Sequence, residues 1–464
     1  MLVVRQLRLP PDPCALARWL TEAGARHLTL LHAAEGPGRG DVTAPLGAGL
    51  GRWSFVAAGP DRWSERLDPL ADDEDFAVDE VPEVARGFPR WIGVLPYEAR
   101  RVLERPAWRP VDTRPPALME RVCWRRYPAV IGVDHLEGRV LGVGRSREAL
   151  EALVAPLRHA LREGHREPPS APAVQLEVAD DEAPELHVAR VREALELIRR
   201  GDLYQVNLAR RLRLTLRAGD PLSLYERLSR AAPSPFGALL EVDDALWVAS
   251  TSPELFLLAE PAAGAPRDHD GFGLLYTAPI KGTRPRGGDA LEDEALVAAL
   301  DADPKERAEL SMIVDVERND LGRVAAFGSV RPLGEPQVVT HRTLHHRVAW
   351  LRARARDGVR REEVLEAMLP SGSVTGAPKV RAMEVIASLE SRRRGLYTGA
   401  YGCVAHGGRW TLAMGIRAAV LRGQEGEYFT GGGIVADSDP ARELEETRWK
   451  ALQLQRAAEG DAGH

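Results

Sequence analysis

The chain has 464 residues, 44% of them hydrophobic and 28% charged, and a formal net charge of −6. Such a composition excludes a disordered chain, and the interspersion of acids among the basic residues leaves no basic stripe to bind nucleic acid. The length suits two or three domains, or two that share a large sheet.

The opening MLVVRQLRLPPDPC is too short in apolar residues for a signal peptide, and no later run reaches the roughly 18 apolar residues of a membrane span. A cytoplasmic protein with no membrane partner is therefore expected. Cys14, Cys123 and Cys403 are too scattered for a disulfide framework or a metal knuckle. From Leu28 to about Val143, short apolar runs broken by Gly and Pro (HLTLLH, GRWSFVAAG, RWIGVLPY, YPAVIGVDH) predict antiparallel strands. A helix is predicted from Ser146 to Arg162. The next stretch, HREPPSAPAVQLEVADDEAPE, is Pro-rich and acidic without a helical period, and reads as a linker. It sets a boundary near residue 172, with an N-terminal region 1–172 and a second unit 173–464.

Beyond it, Leu186 to Arg200 has helical spacing and ends at Gly201. Strands follow in YQVNLARRLRLTL, PFGALLEV, ALWVAS and ELFLLAE. Two long helices open on Asp303-Pro304 and Asp439-Pro440, aspartate serving as N-cap and proline fitting the first turn. Helices and strands mix without strict alternation, and neither a GxGxxG nor a Walker loop occurs. The predicted class is α+β, with large, mostly antiparallel β-sheets sandwiched with α-helices.

The chemistry begins with a shortage. Among 62 basic residues only Lys281, Lys305, Lys379 and Lys450 are lysines, and Asn207 and Asn319 are the only asparagines. Lys281 lies in TAPIKGTRPRG, where a strand meets a glycine-bounded loop; a lysine, unlike arginine, can lose its proton and act as a nucleophile. Glu443, Glu446 and Lys450 share one helix face. A solvated face with one ion pair explains that spacing, but YFTGGGIV just upstream reads as a strand broken by three glycines, Gly431, Gly432 and Gly433, with amides open to an anion. Glu309, on the other capped helix, would complete an oxygen-rich site better suited to Mg²⁺ than to Zn²⁺. PSGSVTGAPKVRAME places small residues and hydroxyls before a helix with Lys379 in its first turn, a carboxylate-binding arrangement or a mere capped turn. Arg417 reads as a charge inside an apolar strand.

Together GDLYQVNLARR, TSPELF, PIKGTRPRG, ERAELSMIVDVERNDLGRV, LHHRV, SGSVTGAPKVRAME, YTGAYG, GIRAAV, FTGGGIVADSDP and ETRWK resemble, over about residues 186 to 458, the chorismate-utilising enzymes. That family includes anthranilate, isochorismate and salicylate synthases and the large component of aminodeoxychorismate synthase. The resemblance implies an anthranilate synthase component I-like fold and Mg²⁺ held by Glu309 and Glu446, with Glu443 direct or through water. It implies Glu254 as general acid, Lys281 as nucleophile toward C2, and His346 near the reacting ring. Arg417, Tyr397, Lys450 and the Gly431–Gly433 backbone resemble the grips on the substrate's carboxylates. Thr283, Thr375 and Gly376 are placed at the same substrate, with Lys379 lining or supporting the pocket.

Two markers narrow the expectation. The PIKGT form carrying Lys281, where anthranilate synthases have PIAGT, implies amination of chorismate to 4-amino-4-deoxychorismate. Gln205 stands where water-using members carry lysine, which implies ammonia as co-substrate. The chain has no glutaminase nucleophile of its own, so a separate glutaminase subunit is the expected partner. Ser371 departs from the usual PGGSITGAPK, and LLHAAEG from the LLES of tryptophan-inhibited relatives, so no tryptophan feedback is expected.

Overall fold

Successive residues of a strand point to opposite faces of its sheet, so a strand apolar at every position must be covered twice. Phe236–Glu241, apolar as far as Leu240 and buried throughout, behaves so: Phe236, Ala238 and Leu240 enter one core, while Leu239 enters another. Leu246–Ser252 and Ala418–Arg422 divide in the same way, with Val248 and Val420 on one side and Ala249, Ala419 and Leu421 on the other. The consequence is a layered molecule, seen here in a computed structural model that describes residues 2–35, 51–73, 81–99, 112–162, 167–262 and 271–459.

Among these residues there are a 12-stranded, a 9-stranded and a 3-stranded sheet. The first runs Val3–Leu7, Arg139–Gly144, Ala129–Asp134, Trp53–Ala57, Thr29–His32, Phe236–Glu241, Leu246–Ser252, Ala418–Arg422, Glu425–Ile434, Gln205–Ala218, Gly376–Ala377. The second runs from Arg331–Pro332 through Leu351–Arg354, Phe272–Ala278, Leu255–Pro261, Trp410–Met414, Ala400–Ala405, Pro89–Leu95 and Cys123–Arg126 to Arg62–Ser64. The facing surfaces of the two share one core, in which Val248 and Val420 of the larger sheet meet Ile92, Leu258 and Ala413 of the smaller. Helices Pro13–Glu22, Arg147–Arg162, Pro221–Ala231 and Leu452–Glu459 cover the outer face of the larger sheet. Helices Pro304–Gly322 and Arg361–Met368 cover that of the smaller. The fold is α+β, as expected, and strands from both sides of residue 172 pair within both large sheets.

Four local expectations are corrected. Within the supposed linker, Gln175–Asp180 is a strand paired with Gln205–Ala218; residues 163–166 lie outside the described residues. Its Leu176 is buried while Gln175 and Glu177 are exposed, the alternation of an edge strand that the preceding prolines obscured. The triple glycine does not break its strand: Glu425–Ile434 pairs unbroken with Gln205–Ala218, Asn207 opposite Gly433, Leu208 opposite Gly432 and Ala209 opposite Gly431. The last predicted helix is two, Pro440–Lys450 and Leu452–Glu459, parted at Ala451, so that Ala451, Leu454 and Ala457 all turn into the core. Arg417 is not inside a strand. It sits at φ 49° where the chain crosses from Trp410–Met414 in one sheet to Ala418–Arg422 in the other.

Candidate active site

The site grows from the three glycines. Asp439 Oδ1 accepts from the amides of Ala441 and Arg442 at 3.0 and 2.9 Å and starts helix Pro440–Lys450, which packs against the glycine strand. The helix lies so close that a Cβ at Gly432 would stand 2.9 Å from Glu443 Oε2 and 3.5 Å from Glu446 Oε1. Lys450 Nζ binds Glu446 Oε1 at 2.6 Å and donates to the Gly431 carbonyl at 2.9 Å. A Cβ at Gly433 would meet Gln205 Nε2 at 2.8 Å and Lys281 Nζ at 3.8 Å. A side chain at Gly432 would therefore displace the Glu443 carboxylate and one at Gly433 the Gln205 amide, with the scarce lysine in van der Waals contact beyond it.

Lys281 comes from strand Ile280–Pro285, paired with Leu344–Val348 so that Thr283 lies opposite His346. Gly282, at φ 82°, forms the bulge between them. Burial lowers the Lys281 pKa, the nearby Lys450 charge lowers it further, and Glu254, Glu309 and Glu446 act in opposition. Glu254, between strands Leu246–Ser252 and Leu255–Pro261, is 6% exposed. Burial lifts its carboxyl to about 7, against the charge of Lys281 and a 3.1 Å hydrogen bond from Ser373 Oγ.

The three glutamates on the two capped helices differ. Burial raises the Glu309 carboxyl against the pull of Lys281 and Lys305, the latter 3.6 Å away. Burial also raises Glu443, whose Oε1 accepts from Ser438 Oγ at 2.6 Å and whose buried Oε2 has no hydrogen-bond partner among the described residues. Burial works upward on Glu446 too, but Lys450 outweighs it and the pKa falls. An unpartnered carboxylate oxygen beside a glycine cradle, with carboxylates as the donors, fits a hard divalent cation. The three are not within 4.8 Å of one another, the spacing shared by the ligand atoms of His27, Glu241 and Asp244 at the end of strand Phe236–Glu241. Lys305 and Lys450 lie 3.6 and 2.6 Å from Glu309 and Glu446.

The remaining residues are placed as follows. His346 is 2% exposed, its Nδ1 3.0 Å from Thr283 Oγ1 and its Nε2 without a hydrogen-bond partner among the described residues; burial, with the Arg417 charge, holds its pKa well below the usual value. Burial also lowers the Arg417 pKa, opposed by Tyr428 and Glu254. Tyr397 stacks on Phe429, ring centroids 5.7 Å apart, with its hydroxyl 2.7 Å from where a Gly431 Cβ would be. Thr375 is fully buried and gives its hydroxyl to the Ser371 carbonyl at 2.8 Å, while Gly376, at φ 137°, pairs with Val206. Lys379 is occupied away from the glycines, donating to Asp320 Oδ2, the Ala367 carbonyl and the Pro370 carbonyl at 2.7, 2.8 and 3.1 Å.

Sequence reasoning gave no role to Asn207, on the same strand two residues from Gln205 and opposite Gly433; its buried Oδ1 has no hydrogen-bond partner among the described residues. Its rarity was the available signal. Ser373, Glu317 and Asp320 were missed as well; the i, i+3 acids of ERND pointed inward as easily as outward. A cavity of about 470 Å³ between the two sheets, lined by Trp53, Phe55, Phe88 and Tyr401 among others, contains none of the predicted site residues.

The description "chorismate binding enzyme" belongs to the family whose profile matches residues 52–456. The chain is 38% identical to anthranilate synthase component 1 of Thermus thermophilus, over 82% of this chain and 80% of that protein. It is 39% identical to aminodeoxychorismate synthase of Streptomyces pristinaespiralis, over 69% of this chain and 45% of that protein. The crystal structure of anthranilate synthase component I from Streptococcus pneumoniae superposes with a TM-score of 0.71 at 27% identity, covering 86% of this chain and 91% of that one.

Proposed function

This chain belongs to the family of chorismate binding enzymes and acts on chorismate, and from that premise we propose that it aminates chorismate to 4-amino-4-deoxychorismate, the precursor of 4-aminobenzoate and folate. The observation that carries this reading is Lys281: an amine whose pKa burial and a neighbouring ammonium depress, flanked by a carboxyl raised to about 7. Neutral Lys281 attacks C2 while Glu254 gives its proton to the C4 oxygen, which leaves as water. Ammonia then forms the C4–N bond and expels the lysine with its electron pair. An arginine cannot make this attack.

Glu309 and Glu446, with Glu443 direct or through water, are the residues that would hold Mg²⁺, which when bound neutralises the ring carboxylate and withdraws electron density. Arg417, Tyr397, Lys450 and the glycine amides orient the two carboxylates, and Gln205 faces the ammonia path beside Lys281. Ammonia comes from a separate glutaminase subunit. Full-length protein given chorismate, Mg²⁺ and ammonium is expected to yield 4-amino-4-deoxychorismate by mass spectrometry; anthranilate as the main product rejects the reading.

Anthranilate synthesis is the second reading, favoured by the identity to the Thermus protein and opposed by Lys281. A scaffold that binds chorismate without turnover is the third; chorismate left unconsumed at high ammonium, with or without EDTA, identifies it.

A further inference from the structure

Glu254 and Glu317 stand at the two ends of one line of hydrogen bonds. Ser373 Oγ donates to Glu254 Oε1 at 3.1 Å, Ser371 Oγ lies 2.8 Å from Ser373 Oγ, and Ser371 Oγ is within hydrogen-bond reach of Glu317 Oε1, to which it donates when Glu317 is ionised and from which it accepts when Glu317 is protonated, leaving its own hydrogen for Ser373. The four side chains are withdrawn from water, at 6%, 3%, 2% and 0% exposure from Glu254 to Glu317. The serines flank a short turn seated on helix Pro304–Gly322: a Cβ at Gly372 would fall 2.1 Å from Val316 Cγ1. That tight seat brings both hydroxyls between the carboxyls. Glu317 Oε2 has no hydrogen-bond partner among the described residues.

We propose that this line is a proton wire through which Glu317 re-protonates Glu254 by way of Ser371 and Ser373. The proposal rests on Glu254 being the acid that releases the C4 oxygen. Once Glu254 has given up its proton and water has left, the Glu317 carboxyl passes its proton to Ser371. Ser371 passes its own to Ser373, and Ser373 passes its own to Glu254, so each hydroxyl ends with one hydrogen. The proton shed by ammonia on forming the C4–N bond enters the wire at Glu254 and restores Glu317, so turnover draws on no other acid. Burial lifts both carboxyls above the ordinary glutamate range, so each favours holding a proton. Glu317 also faces the Asp320 carboxyl, which raises it, and Lys379, which lowers it; Glu254 faces Lys281 and Lys450, which both lower it. Ser371 stands where the resembled pattern has glycine, and glycine cannot make the link. Glu317 touches no substrate and acts only through Glu254.

The test uses full-length wild type, Ser371→Ala, Ser371→Thr and Glu317→Gln, with chorismate consumption followed in H₂O and D₂O and melting temperatures recorded. Ser371→Ala and Glu317→Gln are expected to lower kcat on the order of 10-fold with KM for chorismate unchanged. Their solvent isotope effects should exceed that of wild type as re-protonation becomes limiting, and Ser371→Thr should restore the rate. Wild-type kcat and isotope effect in Ser371→Ala overturn the proposal, as does a loss that threonine fails to restore. If Glu317→Gln melts below the assay temperature, Ser371→Ala decides alone. Failure of the functional reading appears separately, as a different product from wild type.

Discussion

Lys281 and Lys379 are two of only four lysines in a chain that otherwise uses arginine, and their surroundings are opposite. Lys379 closes the start of helix Lys379–Leu389 against Asp320 and two carbonyls, so each of its three N–H donors has an acceptor within 3.1 Å. Lys281 has no hydrogen bond or ion pair to an acid within 4 Å among the described residues; it faces another ammonium and sits at the lip of the glycine strand. Rarity marked both positions equally. What separates the two amines is whether the charge is solvated by the protein: three acceptors surround the Lys379 ammonium, whereas burial beside Lys450 lowers the Lys281 pKa.

Four substitutions break or sharpen that contrast. Lys281→Ala should lower 4-amino-4-deoxychorismate formation by about 1,000-fold or more, or redirect the product, with melting temperature unchanged; product analysis and a thermal melt check both halves. Lys379→Met should do the reverse and destabilise the fold by about 3 kcal/mol, because it strands Asp320. Burial raises Asp320, so at low pH it takes a proton and needs no partner. Denaturant melts at pH 5 and pH 8 should therefore show the smaller loss at pH 5.

Glu446→Gln should raise the Mg²⁺ concentration for half-activation by about 10-fold, read from titration after EDTA treatment; no change removes Glu446 from the ligand set. The fourth substitution is Glu254→Gln. A folded-state carboxyl at about 7 stands above its ordinary value of 4.5, so the folded state is progressively destabilised as pH climbs from 4.5 to 7. Above pH 7 the glutamine variant should exceed wild type by about 3 kcal/mol, with no advantage at pH 4. Its activity should be low at every pH, whereas wild-type activity falls as pH rises through about 7 and Glu254 ionises.

The same contrast says what was legible in the sequence. The capped helices were, because Asp-Pro at residues 303–304 and 439–440 encodes their starts locally. The strands with two buried faces were, because short runs of consecutive apolar residues such as FGALL and ALWVA carry them. Glu443, Glu446 and Lys450 could be placed on one face by spacing alone, and the glycine strand beneath them by its composition. What spacing does not encode is the third dimension. Lys379 could be read as part of an anion grip or of a capped turn until Asp320 came to meet it, Arg417 looked like a strand residue until the chain proved to change sheets there, and Ser371 was only a departure from the resembled pattern until Glu317 and Ser373 closed around it. Each depends on a partner more than 50 residues away or on a crossover between sheets, which no local pattern carries.

The central claim, that the Lys281 amine bonds to the substrate ring, is tested most directly by mass analysis of peptides from protein quenched after incubation with chorismate and Mg²⁺ but no ammonia. A dehydrated chorismate adduct on the peptide bearing Lys281, absent from Lys281→Ala and discharged when ammonium is added, is the predicted result. An unmodified Lys281 under conditions in which chorismate is consumed contradicts it.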